Sequence, residues 1–259
     1  DIMNFFYSYQ TDRGTVRTSN QDSLMVKVIQ SAGNQAFLAA VCDGVGGLTH
    51  GELTSRKTVE MLGKWAEYEL PGLLAEVADG KVLKKRLQHL LQDINREIYF
   101  DNLSGGISSG TTMTALVLYD DHYWAAHVGD SRLYAVTEDG AIRLTEDHSW
   151  VEEEIKAGRM TREEAEHSPR KNVILKCIGA SGEISPQILE GKAEKDTVFV
   201  LCSDGFWHDI TAKEWAEVFA PENNPESRTL GKNLQQVVEQ VKARGESDNI
   251  TAVAVKIRK

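Results

Sequence analysis

The sequence predicts an α+β fold in which helices pack on antiparallel β-sheets. Runs that alternate apolar and polar residues and are rich in β-branched side chains follow one another through short polar turns, such as residues 31–34 and 120–121. Turns this short join antiparallel neighbours. Two amphipathic helical patterns come one after the other behind the first strands, whereas a parallel sheet would alternate strand and helix along the chain.

The individual elements follow from periodicity and from end signals. Residues 51–70 and 81–99 are predicted helices, and the second places its apolar side chains on one stripe. Residues 234–241 carry another such stripe, and Thr211 followed by Glu214 predicts a capping box that begins a helix. The predicted strands are residues 24–29, 36–41, 112–119, 123–128, 133–136, 198–201 and 250–257.

Residues 147–183 break this rhythm. They are rich in Glu, Arg and Lys and contain two short helical patterns, at residues 150–157 and 161–166. The rest of the chain shows no internal repeat, low-complexity tract or linker. We therefore expect one domain spanning residues 1–259, with an insert that lies on its surface near the functional site.

Composition excludes several classes of protein. The chain of 259 residues is 41% hydrophobic and 26% charged, which is typical of a folded globular protein. Its net charge of -10 argues against a nucleic-acid or anionic-membrane partner. It has no apolar stretch of the ~20 residues that cross a bilayer, and no secretory signal is visible at its start. Three cysteines, two of them in apolar runs, are expected to be buried and reduced, so we expect a cytoplasmic protein.

Acidic residues recur at the ends of predicted strands. Three apolar runs each stop at an aspartate beside a glycine, and a fourth aspartate comes just before the last strand. Glycine lets the backbone turn sharply beside a carboxylate that a rigid strand holds in place. Carboxylate oxygens select Mg²⁺, Mn²⁺ or Ca²⁺ over zinc, so a divalent metal site is predicted. The four residues are Asp43, Asp130, Asp204 and Asp248.

Their spacing favours a catalytic site over a storage or structural one. An EF-hand would need its ligands within one twelve-residue loop, whereas these acids are scattered along the chain. Two ions ~3.5 to 4 Å apart can activate a water for in-line attack on phosphorus. Arg17 is a candidate for holding the phosphate, because guanidinium binds phosphate oxygens in a two-pronged fashion. The spacings of a cysteine phosphatase, a Walker loop and an HExxH zinc site do not occur.

Six motifs, in order, resemble those of bacterial metal-dependent Ser/Thr protein phosphatases of the 2C type. The resemblance covers residues 11–257, and the insert is similar to the flap beside the site of bacterial members. The motifs are residues 17–22 (RTSNQD), 43–47 (DGVGG), 109–112 (SGTT), 128–132 (VGDSR), 203–209 (SDGFWHD) and 248–251 (DNIT).

The resemblance implies a fold and an activity. The fold is a four-layer αββα sandwich of two central antiparallel sheets flanked by helices, with the flap as an insert. The activity is hydrolysis of phosphoserine and phosphothreonine in proteins by a metal-activated water, which reverses a Ser/Thr kinase in signalling. The implied cofactors are two core Mn²⁺ or Mg²⁺ ions and a third ion. The implied partners are phosphorylated proteins and a cognate kinase system, and a monomer is the default state.

The resemblance also assigns roles to residues that carry oxygen ligands. Asp43 would bridge the two core ions, and Asp204 and Asp248 would complete the carboxylates around the first. Gly44 would give its backbone carbonyl to the second ion. Asp130 would bind the third ion together with Asp204.

Three further residues would act around these ligands. By the same resemblance, Arg17 would hold the substrate phosphate. Asp22 would orient metal-bound water from the outer shell, and Asn249 would support Asp248.

The chain departs from the family pattern at three positions. Val45 stands where animal members carry a histidine proposed to protonate the leaving group, so the general acid is not identified. His50 and His148 are the histidines considered for that role. Gln21 replaces a frequent glutamate, and Leu48 replaces a histidine found in many bacterial members. Val45 and Gln21 leave open a second hypothesis, a non-catalytic phosphoprotein-binding or regulatory module that keeps the fold.

Overall fold

Two antiparallel β-sheets packed face to face form the centre of the fold. The structure, a computed structural model, describes residues 4–46, 50–76 and 81–258. Gly47 of the DGVGG motif and Leu48 lie outside the described residues. In the described part of the chain, no helix combines the length and the apolar character that a membrane crossing requires.

The first sheet contains the last strand of the chain near its middle. All neighbouring strands in it are antiparallel. In spatial order its strands are β1 (Asn4–Asp12), β11 (Ile250–Arg258), β10 (Val198–Cys202), β7 (Arg132–Thr137) and β8 (Gly140–Arg143).

The second sheet is also antiparallel throughout. Its spatial order is β2 (Asp22–Ser31), β3 (Asn34–Gly46), β5 (Met113–Tyr119), β6 (His122–Val128) and β9 (Gln187–Lys192). A short strand, β4 (Ser109–Thr111), pairs with the end of β3. Because of this pairing β3 continues to Gly46, past the point where the apolar run predicted its end.

Helices cover the outer face of each sheet. Outside the second sheet lie α1 (His50–Tyr68), α2 (Leu70–Glu76) and α3 (Lys81–Gly105). Outside the first sheet lie α6 (Asp204–Trp207), α7 (Ala212–Val218) and α8 (Ser227–Ala243), with a 3₁₀ turn at Pro221–Asn223. The insert carries α4 (Trp150–Lys156) and α5 (Arg162–Glu166).

The side chains of β3 show why the sandwich has four layers. Strand residues point alternately to opposite faces. Phe37 and Val41 pack in the core between the two sheets, whereas Leu38 and Cys42 pack against the helices, and all four are fully buried. A strand buried on both faces requires a layer on each side, so the observed arrangement is the expected αββα sandwich.

Sequence periodicity missed strands that lie at the margins of the sheets. β1 and β9 carry exposed polar residues on one side and β8 is only four residues long, so none shows a clear alternation. The helix predicted to reach residue 70 ends at Tyr68, and Pro71 belongs to a second helix. The capping box at Thr211 and Glu214 is confirmed.

The two ends of the insert are attached to the core of the fold. At its start the His148 N–H donates to the Gly129 carbonyl, and Ile178 near its end exchanges two backbone hydrogen bonds with Thr111 of β4. Two buried asparagines of α3, Asn95 and Asn102, bond the backbone just after Ile178. These contacts fix the base of the insert next to the strand ends that carry the acidic residues.

Candidate active site

Asp43 lies near the end of β3, directly opposite Asp22 of β2 in the strand register. Its backbone is fixed by two threonines: the Asp43 N–H donates to Thr112 Oγ1 at 2.9 Å, and the Asp43 carbonyl accepts from the Thr112 N–H at 2.9 Å and from Thr111 Oγ1 at 3.1 Å. Two carboxylates that face each other across neighbouring strands repel unless a cation or a proton separates them. The pairing of these two strands therefore destabilises the fold unless something balances the two negative charges.

Gly44 allows α1 to begin in contact with β3. A Cβ at Gly44 would overlap the carbonyl of Gly51, and a Cβ at Gly51 would lie 3.0 Å from the Gly44 carbonyl carbon. Only two glycines permit this approach. It brings the first turn of α1 beside the Gly44 carbonyl, the atom expected to face a metal ion.

Asp204 and Asp248 approach Asp43 from the other sheet. Asp204 follows β10 as the first residue of α6, and Asp248 precedes β11. A side chain at Gly205 would collide with the Asn249 carbonyl, so glycine is needed for these two segments to pack together. The carboxylates of Asp204 and Asp43 contact each other, although they are 161 positions apart in sequence.

Asp130 lies in the turn between β6 and β7, after Gly129 with φ +111°. The Gly129 N–H donates to Nδ1 of His148 at 3.0 Å, and the His148 N–H donates to the Gly129 carbonyl at 2.8 Å. Asp130 is 5% exposed. The turn is thus held by the residue that leads into the insert.

Four of the acids form what we call the acidic cluster: Asp22, Asp43, Asp130 and Asp204. Burial and then repulsion by neighbouring carboxylates raise the pKa of Asp22 to about 7, and those of Asp43 and Asp130 well above the usual range. Burial and then the charge of Asp248 raise the pKa of Asp204 to about 6. These shifts are the response of like-charged carboxylates brought close together, buried at Asp22 and Asp130 and half-buried at Asp43 and Asp204.

Unpartnered oxygens in the cluster fit a divalent cation. Oδ1 of Asp22, of Asp130 and of Asp204 is buried and accepts no hydrogen bond. Leaving a buried carboxylate oxygen unsatisfied is unfavourable unless an ion or a proton meets it. Oxygen donors are the ligands that Mg²⁺ and Mn²⁺ prefer, so the residues present fit the implied metals.

Both carboxylate oxygens of Asp248 already have hydrogen-bond partners. Its Oδ2 accepts a hydrogen bond from Nη2 of Arg17 at 3.0 Å, and its Oδ1 accepts one from the Asn249 N–H at 2.8 Å. Within the described residues, neither the acidic cluster nor any other set of three His, Cys, Asp or Glu side chains is already arranged around one ion position. Arg17 and Asp248 were expected to hold the phosphate and a metal ion, respectively, and in this structure their side chains pair with each other.

The side chain of Asn249 hydrogen-bonds the backbone of the N-terminal segment. Its Oδ1 accepts the Gln21 N–H at 2.9 Å, and its Nδ2 donates to the carbonyls of Arg13 at 2.8 Å and Ser19 at 3.0 Å. It therefore ties down the N-terminal segment that carries Arg17. Its only direct link to Asp248 is its backbone N–H.

Two neighbours of the acids were not singled out from the sequence. Oε1 of Glu246 accepts the N–H groups of Ser247 and Asp248, at 2.7 and 2.8 Å, which orients the segment before β11. Trp207 Nε1–H donates to the backbone carbonyl of Asp130 at 3.0 Å. Because Trp207 belongs to the SDGFWHD motif, the sequence could have indicated that it lies at the site. No motif or pattern around Glu246 indicated a role for that residue.

Histidine and cysteine chemistry does not account for the site. Burial, and then nearby lysines, lower the pKa of His148 to about 4, so at neutral pH its ring is uncharged and accepts the Gly129 N–H. Val45 lies in β3 opposite Gly110 of β4. Cys42 and Cys202 are fully buried free thiols whose pKa values burial raises, which makes them poor nucleophiles.

Comparison with known proteins identifies the family. The family model described as Protein phosphatase 2C matches residues 11–242. The serine/threonine phosphatase stp of Listeria innocua serovar 6a is 30% identical over 249 residues, 95% of this chain and 94% of that protein.

Solved structures agree with this match. The S. agalactiae serine/threonine phosphatase is 30% identical with a TM-score of 0.84, covering 98% of this chain and 99% of that one. The catalytic domain of the serine/threonine protein phosphatase PstP, solved with two manganese ions, shares the fold with a TM-score of 0.79 at 24% identity, over 99% and 100% of the two chains.

These matches confirm the expected family, sandwich fold and enzyme class. Metal-dependent dephosphorylation is the general function of proteins of this type. The chain therefore belongs to the Protein phosphatase 2C family and is a bacterial-type Ser/Thr protein phosphatase, a hydrolase.

Proposed function

We propose that this phosphatase hydrolyses phosphoserine and phosphothreonine at the acidic cluster with two core Mn²⁺ or Mg²⁺ ions and a weaker third ion. The observation that carries the proposal is the convergence of buried carboxylates from distant elements with raised pKa values and unpartnered oxygens. The relative solved with two manganese ions supports the ion count. Protein cations would have neutralised these carboxylates if they served only the fold.

The proposed ligand roles are those that the family pattern implies. Asp43, between Asp22 and Asp204, is the carboxylate that can serve both core ions. Asp204 and Asp248 would hold one ion together with Asp43, and the Gly44 carbonyl would hold the other. When bound, such ions supply an activated water and neutralise the charge that builds up on the phosphate.

Arg17 holds the phosphate of the substrate. Its side chain is 54% exposed and its ion pair with Asp248 is at the surface, so it can exchange Asp248 for a phosphate oxygen at little cost. A guanidinium binds phosphate through two parallel hydrogen bonds. Asn249 keeps the segment of Arg17 in reach of the cluster.

Asp22 acts from behind the ligands. Its Oδ2 accepts a hydrogen bond from Thr251 Oγ1 at 2.6 Å, which fixes the orientation of its carboxylate. Its buried Oδ1 has no hydrogen-bond partner and can accept a hydrogen bond from metal-bound water.

The substrates are phosphorylated proteins, and a Ser/Thr kinase that supplies them is the natural partner. The kinase, a monomeric state and a cytoplasmic location are parts of the proposal. Two buried, reduced cysteines are consistent with a reducing compartment.

The test measures turnover against metal. The purified chain, stripped with EDTA, is assayed with p-nitrophenyl phosphate and a phosphothreonine peptide while Mn²⁺, Mg²⁺ or Ca²⁺ is titrated. We expect turnover with Mn²⁺ or Mg²⁺ and none with EDTA, and the same assay on Asp43→Asn controls for contaminating phosphatases. Tight binding of a phosphopeptide without metal-dependent turnover would instead support the non-catalytic module.

A further inference from the structure

Asp130 and Asp204 belong to different elements of the fold. Contacts between these two elements must therefore set the distance between the two carboxylates. Asp204 is the first residue of α6 and Trp207 is the last. The Trp207 indole N–H donates to the backbone carbonyl of Asp130 at 3.0 Å. One short helix therefore carries an acid at one end and, at the other, a hydrogen bond to the second acid.

The indole of Trp207 is fixed by a buried ion pair. The Arg132 guanidinium stacks on the ring, 3.3 Å from its centroid. Arg132 in turn donates to both carboxylate oxygens of Asp147, at 2.6 and 2.9 Å, and to the Tyr134 hydroxyl at 2.9 Å. A guanidinium held on three sides leaves the ring beneath it little freedom to rotate.

The hydrogen bond of Trp207 distinguishes it from other tryptophans of the chain. The indole N–H groups of Trp65, Trp124 and Trp215 are buried without a hydrogen-bond partner, so in these residues the ring serves packing. Trp207 is half-buried, and its N–H is directed to the one turn that carries Asp130. Packing alone does not require that contact.

We propose that Trp207 is a positioning residue that sets the spacing of Asp130 and Asp204 and thereby the affinity for the third, weaker ion. This inference rests on the proposed function. Removing the indole N–H frees the Asp130 carbonyl, and the turn can then shift relative to α6. Partners that orient metal ligands typically account for about 10- to 100-fold in metal affinity.

The experiment uses Trp207→Phe, which keeps an aromatic ring under Arg132 and removes the N–H. Bound Mn²⁺ is counted by electron paramagnetic resonance during titration of the EDTA-stripped chain. We expect the tighter ions to bind as in wild type and the weaker ion to bind about 10- to 100-fold less tightly. The matched control is Trp124→Phe, which shortens a buried indole with no partner and should bind Mn²⁺ as wild type does.

A double variant separates positioning from general destabilisation. If Trp207 acts through Asp130, adding Trp207→Phe to Asp130→Asn should cause no further loss of weak-ion affinity. Thermal unfolding in EDTA shows whether each variant is folded. Additive losses, an equal loss for all ions, or a weak-ion affinity equal to wild type would overturn the inference. Failure of wild type itself to bind Mn²⁺ would instead refute the proposed function.

Discussion

Two groups of acids lie side by side in this molecule and differ in whether a protein cation balances their charge. The acidic cluster contains no arginine or lysine. Its neighbour, which we call the ion-pair network, supplies a guanidinium to each acid. The network consists of Arg132, Asp147, Arg143 and Glu152, with N–O distances of 2.6 to 3.3 Å. Arg132 and Asp130 are two positions apart, so the two groups almost touch.

The difference teaches what each group is for. Asp147 and Glu152 are 4% and 5% exposed, and each lies within 3.3 Å of a guanidinium. The charge of these two acids is therefore balanced by the protein itself, without ions from solution. The acidic cluster is equally buried at Asp22 and Asp130, yet it responds by raised pKa values. A protein that retains such unfavourable charge next to well-paired charge reserves it for a cation from solution.

Asp43→Asn is the strongest test of the proposed difference between the acidic cluster and the ion-pair network. If the cluster holds the catalytic ions, kcat/KM for p-nitrophenyl phosphate should fall by about 1000-fold or more, roughly 4 kcal/mol of transition-state stabilisation. The variant removes like-charge repulsion, so the metal-free protein should be no less stable than wild type. The exposed Asp139→Asn is the control. Wild-type turnover of Asp43→Asn would show that the ligand assignment is wrong.

Arg143→Met tests the other group. It leaves Glu152 buried beside only a distant Arg162, 3.9 Å away. We expect the free energy of unfolding to fall by about 3 kcal/mol, the low end for a broken buried pair, because Arg143 keeps 18% of its side chain exposed. Urea unfolding in EDTA measures it. A loss of stability that Mn²⁺ abolishes would mean that the two groups are not distinct.

Arg17→Ala tests whether an exposed guanidinium group, unlike those of the ion-pair network, serves the substrate. Arg17 is more than half exposed, unlike Arg132 and Arg143. Loss of its charged hydrogen bonds to phosphate should lower kcat/KM by an amount equivalent to about 1.5 to 3 kcal/mol. Mn²⁺ affinity should not fall, because Arg17 competes with the ion for Asp248. Arg13→Ala is the matched control, and an unchanged kcat/KM would reject the role.

The smallest expected effect is on pH dependence. A carboxyl whose pKa is raised from 3.8 on folding stabilises the native state below 3.8, and this contribution is lost as pH rises through the folded values, about 6 for Asp204 and about 7 for Asp22. The rise in Tm caused by Mn²⁺ should therefore be larger at pH 8 than at pH 5, by about 2 to 4 °C per kcal/mol. Equal shifts in scanning fluorimetry would contradict it.

The sequence predicted the acids better than it predicted their surroundings. Asp43 and Asp204 stood at the ends of apolar runs, and ordered motifs carried the family. Hydrogen bonds between distant segments leave no local periodicity, so neither the Arg17–Asp248 pair nor the contact of Trp207 could be read from the chain. Edge strand β1 was missed for a related reason, since its pairing with β11 compensates for a weak pattern.

On the proposed assignment, the two halves of the sandwich each bring part of one coordination sphere. Asp43 extends from one sheet, and Asp204 and Asp248 extend from the other. A bound ion would then cross-link the two sheets, in addition to the apolar seam between them where Phe37 and Phe199 pack. Loosening that seam, even far from any carboxylate, would weaken metal retention, and metal would in turn oppose separation of the layers by mass action.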